Sequence, residues 1–169
     1  MEALTKMPRL LICKSNATMR ELPTIKTSPA ATLQIRGHTL LCLQGFRGLG
    51  YSPGFVENLA TVHRNLAAAF DTLVQVVDAP DVVCGACPHE TGSGCTLSGE
   101  GTEADMQAQD RVVLTRLGLQ PGDRLPWGQV LERIRRSVSG DDLPAICGRC
   151  RWLSLGYCRA GIEQLRRQP

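Results

Sequence analysis

The sequence predicts an α+β fold: a mostly helical single domain with a short two-stranded element and two cysteine metal-binding loops. Three observations predict it. Apolar residues recur at helical spacing in several segments from Phe55 onward. Two stretches, Leu33–Arg36 and Leu73–Val77, alternate or are β-branched, as short strands are. The pattern C-G-x-C-x7-C occurs twice, as Cys84, Cys87 and Cys95 and again as Cys147, Cys150 and Cys158.

The elements follow in order. Residues 1–32 carry Pro8, Pro23 and Pro29 among Ser, Thr and Asn and read as a disordered extension, with Cys13 as a thiol without neighbours. Residues 33–169 read as one metal-binding domain. After the strand Leu33–Arg36, His38–Phe46 predicts a short helix with His38 and Cys42 on one face, four residues apart. Ser52 caps a helix with Pro53 at its first position, and Phe55, Leu59, Val62, Leu66 and Phe70 form its apolar face. The strand Leu73–Val77 leads through Asp78-Ala79-Pro80-Asp81 into the first cysteine loop. Thr102 and Asp105 predict a capping box for a helix with Met106, Val113 and Leu117 that stops at Gly118. Pro126 opens a further helix with Trp127, Val130, Leu131, Ile134 and Val138. The second cysteine loop follows, then a terminal helix over 159–167. Four or five helices and two strands result.

Composition bounds the function. The chain has 169 residues and 43% hydrophobic content, enough for a modest core, but only 4% aromatics. The net charge of +3 comes from residues 1–32, which hold five Lys or Arg against two Glu. Residues 33–169 carry 14 Arg against 14 acidic residues, a balance that argues against a nucleic-acid footprint. All three Lys fall in the first 32 residues, which suggests a separate tail or a start codon set too early. No apolar run is long enough for a secretory leader or a membrane span. A cytoplasmic location is expected, where thiols stay reduced and cysteine pairs serve metals rather than disulfides. A four-disulfide secreted domain is the disfavoured alternative.

A C-x2-C pair puts two thiolates on one turn, close enough to share a metal. Gly85 and Gly148 are expected to take positive φ there and turn backbone N–H groups toward sulfur. The third cysteine closes a three-thiolate claw. Most thiolate sites take four protein ligands, and Cys42 and His38 are the remaining candidates. Three arrangements stay open. The eight residues could form two four-ligand sites. Four cysteines could form one site, the others packing as thiols. A three-cysteine [4Fe–4S] cluster could keep one iron open. Zinc is the alternative metal, because zinc ribbons also use C-x2-C knuckles. Three cysteines per claw and the Cys87-Pro88 step favour iron–sulfur, although the dense ferredoxin run of cysteines is absent.

Four motifs resemble a known family: RGHTLLCLQGFRGLGYSPGFVEN from Arg36, VVDAPDVVCGACP from Val76, LGLQPGDR from Leu117 and CGRCRWLSLGYC from Cys147. That family comprises small cysteine-rich bacterial and archaeal proteins, the domain of unknown function 1284, proposed to bind iron–sulfur. The resemblance covers about residues 33–165. Thr39 stands where the family's first motif often carries a second histidine. The resemblance implies a cluster at Cys84, Cys87, Cys95, Cys147, Cys150 and Cys158, and it implies no substrate.

The expected function is therefore iron–sulfur binding, with electron transfer or a redox partner subunit as the role. The alternative is a zinc-stabilised interaction or regulatory module, and a third class is an enzyme using an open iron as a Lewis acid. The expected partner is a redox or other protein, with neither nucleic acid nor membrane. Trp152 and Tyr157 could shield a cluster, or pack their loop against the body. No Ser–His–Asp set or close carboxylate pair occurs. His63 reads as a satisfied or solvent-facing histidine, and Arg133, Arg135 and Arg136 as a solvated helix face.

Overall fold

A computed structural model describes residues 32–168, so Cys13 and all but the last residue of the extension predicted over 1–32 lie outside the described residues. The fold is α+β, as expected. β1 (Leu33–Arg36) runs without a break into α1 (Gly37–Gly45). α2 (Pro53–Ala68) then carries the chain to β2 (Leu73–Val77), which pairs parallel to β1 with Ile35 opposite Val76. Val74 and Val76 face the core and their neighbours are half-buried, the alternation that the sequence showed.

Several elements differ from expectation. The sheet has three strands, because Arg124–Pro126 forms β3, antiparallel to β2 in the order β1-β2-β3. Pro126 therefore ends an edge strand, where its missing N–H costs no ladder bond, and α4 (Trp127–Ser137) starts one residue later. α5 (Leu143–Cys147) is a short helix, unforeseen because its five residues show no period. α2 stops at Ala68, so Phe70 lies beyond it and is 60% exposed rather than part of the apolar face. The Ser52 cap is present, with its hydroxyl accepting from the Phe55 N–H at 3.1 Å.

The predicted capping box is not formed. α3 (Thr102–Arg116) begins after Gly101, so Thr102 is already helical, and its hydroxyl donates to the Gly99 carbonyl at 2.7 Å. The far end of α3 is closed by Arg133, which donates to the carbonyls of Leu117 and Gly118. A cation on terminal carbonyls is the favourable end of a helix for it. Arg133 is thus a cap rather than part of a solvated face, whereas Arg135 and Arg136 pair with Glu132. α6 (Tyr157–Arg166) starts two residues earlier than expected and takes Cys158 into a helix.

α1 is the central helix. Its first residue, Gly37, has no room for a side chain against the Asp110 backbone of α3, and its last, Gly45, has none against Cys158 of α6. A methyl on Gly161 of α6 would lie 1.9 Å from the Gln44 carbonyl. Backbones this close can be approached only by glycine. Among the described residues no helix is long and apolar enough to cross a membrane.

Candidate metal centre

The first claw is held by a buried carboxylate. Asp81 accepts the Arg36 N–H at 2.9 Å through one oxygen, and the Val83 and Cys84 N–H groups at 2.9 and 3.0 Å through the other. It ties the β1–α1 junction to the start of the claw. Asn58 of α2 donates to the Val82 and Val83 carbonyls from the other side. Cys84, Cys87 and Cys95 thus hang from the sheet edge, α2 and α1 together. The second claw starts at the end of α5 and finishes on α6, so Cys147, Cys150 and Cys158 are placed by helices.

The two claws share one local geometry. The Cys87 N–H donates to the Cys84 carbonyl at 2.8 Å, and the Cys150 N–H to the Cys147 carbonyl at 2.8 Å. The next step matches too: Glu90 N–H to Cys87 carbonyl and Leu153 N–H to Cys150 carbonyl, each 3.1 Å. The repeat read in the sequence is a repeat in space. Its glycines act differently from expectation. Gly148 has φ −54° and Gly85 is not among the positive-φ residues, so neither knuckle needs the left-handed region. A side chain on Gly148 would instead strike the Pro144 carbonyl at 2.7 Å.

All seven described cysteines are free thiols, and all seven line one cavity of about 760 Å³ together with His38. The structure brings every sequence-nominated residue to one place. Among the described residues no three of them already converge at the spacing of a single ion. Cys42 sits on α1, whose last residue packs on Cys158 of α6, and after burial the cysteines of the second claw are the neighbours that push its thiol up most. Burial likewise raises Cys84 to about 12 and Cys147 to about 11, and pushes Cys87 and Cys158 up. Such thiols stay protonated near neutral pH unless a cation ionises them, as a coordinated metal does. Donors already point at sulfur. The backbone N–H groups of His89 and Glu90 serve Cys87, the Gln109 amide serves Cys147, and Arg36 Nη1 stands 3.9 Å from Cys84 Sγ. N–H···S contacts of this kind stabilise and tune thiolate metal groups. The donor set fits an iron–sulfur group in its number of thiols, its space and its sulfur-directed donors.

Beside the first claw lies a buried ionic network absent from the sequence reading. Arg36 and Asp110, 1% and 0% exposed, pair at 2.7 Å through Nε. The guanidinium also reaches Glu103 at 3.1 Å, and Glu103 accepts the Cys95 N–H at 2.8 Å. Burial opposes the Arg36 charge, but Asp110 and then Glu103 outweigh it and hold the guanidinium protonated. The second Asp110 oxygen accepts the His38 N–H at 2.8 Å and meets His38 Nδ1 at 2.7 Å. A carboxylate on Nδ1 fixes the ring and leaves Nε2 for the cavity side, the arrangement seen behind metal-bound histidines. The signal for Asp110 was present: it sits on the apolar stripe of α3, three and seven residues before Val113 and Leu117.

Tyr51 joins the two claws. Its ring lies 5.1 Å from His89 of the first claw loop and 4.7 Å from Trp152 of the second, with the Arg151 guanidinium 5.7 Å above it. Burial, then Cys42, Cys150 and Cys87, push its hydroxyl well above the usual range. Trp152 therefore packs its loop through Tyr51, whereas Tyr157 is exposed. His63 is half-buried against Phe46 and takes no part in the cavity lining.

Comparison with curated proteins and with solved structures finds no match. A family model described as "Protein of unknown function (DUF1284)" matches residues 50–156, more than half of the chain. The matched span holds the first claw, Cys147 and Cys150, while His38, Cys42 and Cys158 lie outside it. The chain belongs to this DUF1284 family.

Proposed function

We propose that the cavity binds iron–sulfur, as [4Fe–4S], and that the protein acts as a small electron carrier or as a redox subunit of a larger partner. The observation that carries this reading is that seven cysteines line one cavity of about 760 Å³. A structural zinc closes four ligands on one ion at ~2.3 Å Zn–S and needs no such space. Bound there, an iron–sulfur cluster would supply one-electron chemistry. The chain's own residues supply the rest. The thiols bind, Gln109, Arg36 and the loop N–H groups donate to sulfur, and Tyr51 with Trp152 keeps water from the space between the claws. His38 supports the site as an imidazole held by Asp110.

Protein purified without oxygen is expected to be brown and to contain iron and acid-labile sulfide. Colourless protein with stoichiometric zinc would favour the second reading, a zinc-stabilised interaction module. That reading also has an observation behind it, because Cys42 and the three cysteines of the second claw line the same cavity, and four thiols are what a structural zinc takes. In either case Cys42→Ala is expected to lower metal content in elemental analysis, and Cys13→Ala to leave it unchanged. Equal metal in the two variants would remove Cys42 from the site.

A further inference from the structure

The mouth of the cysteine cavity differs in charge from the rest of the body. Residues 33–169 balance 14 Arg against 14 acidic residues. In the cavity lining, Arg47, Arg149 and Arg151 are exposed cations, and Asp105 is the one acidic residue. Arg36 lines it too, but it is buried and neutralised by Asp110 and Glu103. Asp105 pairs with Arg149 at 2.9 Å, with side chains 62% and 89% exposed, so water and salt weaken that pair. Among the described residues, Arg47 and Arg151 meet no carboxylate. Arg47 donates to the Phe46 carbonyl, and Arg151 lies over the Tyr51 ring. A cleft rimmed by one sign of charge focuses its field and draws in the opposite sign.

Two of these arginines are not engaged with sulfur. Arg36 donates toward Cys84, whereas Arg149 turns to Asp105 and Arg151 to Tyr51. The same rim is apolar. Five large apolar side chains are exposed among the described residues, and three of them gather here: Leu49 and Tyr157 line the cavity, and Leu155 stands two residues before Tyr157. Exposed apolar side chains in one place mark an interaction surface, and an apolar centre with arginine around it is the make-up of a protein interface. A phosphate backbone would meet the cations and leave the leucines wet. A second copy of this chain on a two-fold axis would set arginine against arginine.

We propose that the mouth of the cavity docks a protein partner through an acidic face. Arg47, Arg149 and Arg151 meet its carboxylates, and Leu49, Leu155 and Tyr157 meet its apolar centre. This rests on the redox reading and deepens it by naming the partner class: an acidic redox protein, seated at the opening of the cysteine cavity.

The test uses the full chain, purified without oxygen. Isothermal titration calorimetry is run against a flavodoxin, an acidic protein with one flavin, and against cytochrome c, a basic protein with one heme. Flavodoxin is expected to bind at low salt and to weaken as salt rises, because exposed charges are screened. Cytochrome c is expected not to bind. The double variant Arg149→Gln, Arg151→Gln leaves one exposed cation against Asp105 and is expected to bind flavodoxin about tenfold more weakly. Arg124→Gln, on β3 and outside the cavity lining, is expected to bind like wild type. No flavodoxin binding, or wild-type affinity in the double variant, would overturn the docking face. So would duplex DNA or phosphatidylglycerol vesicles that bind wild type and lose affinity in the double variant. Iron is measured on the same samples, and its loss from the double variant would overturn the proposal too, because the arginines would then serve the metal group. Salt-sensitive flavodoxin binding by a chain that holds zinc alone would overturn the redox reading and leave the acidic docking face standing.

Discussion

Asp110→Ala is expected to lower the stability of the chain by about 3–5 kcal/mol, the cost of removing one partner from a buried ion pair. Asp110 is fully buried and accepts three contacts, from Arg36 Nε, the His38 N–H and His38 Nδ1. Its removal leaves the Arg36 guanidinium inside the fold with only Glu103 opposite. A domain of this kind has about 5–15 kcal/mol in all, so the urea midpoint should fall sharply. Asp110→Asn should also destabilise, because its amide can offer one acceptor where two faces of donors wait. The double variant Arg36→Met, Asp110→Leu should recover part of the loss, since replacing both charges removes the burial penalty with the attraction. A wild-type midpoint in Asp110→Ala would contradict this picture of the network.

Cys84→Ser and Cys147→Ser are each expected to lose about half of the bound metal and to lower the unfolding midpoint, because metal affinity is folding free energy where the apo site is poorly organised. Serine is a poor substitute for a soft thiolate. A half loss marks two groups, one on each claw. Complete loss from either variant would mean one shared group. Full metal and full stability in either variant would mean that its claw holds no metal.

What was legible in the sequence was local. The strands Leu33–Arg36 and Leu73–Val77 carry their alternation on their face, and Ser52-Pro53 announces a helix start by its chemistry. The claw cysteines, Cys42 and His38 were nominated by spacing, and all line one cavity. What was not legible depends on distant partners. β3 is a strand because Leu125 pairs with Val74, not through any pattern of its own three residues. Gly101 rather than Thr102 precedes α3 because the Thr102 hydroxyl is engaged by Gly99 and Ser98. Arg36 and Asp110 look like surface charges until the fold sets them 74 positions apart in sequence and in contact.

The central claim is that the seven-cysteine cavity is an iron–sulfur site. Native mass spectrometry of the full chain, purified and sprayed without oxygen, tests it most directly, because the mass added to the polypeptide names the group. The account predicts an added mass of iron and sulfide in equal numbers, lowered in both Cys84→Ser and Cys147→Ser. A polypeptide that carries only zinc ions, or no added mass, would contradict it.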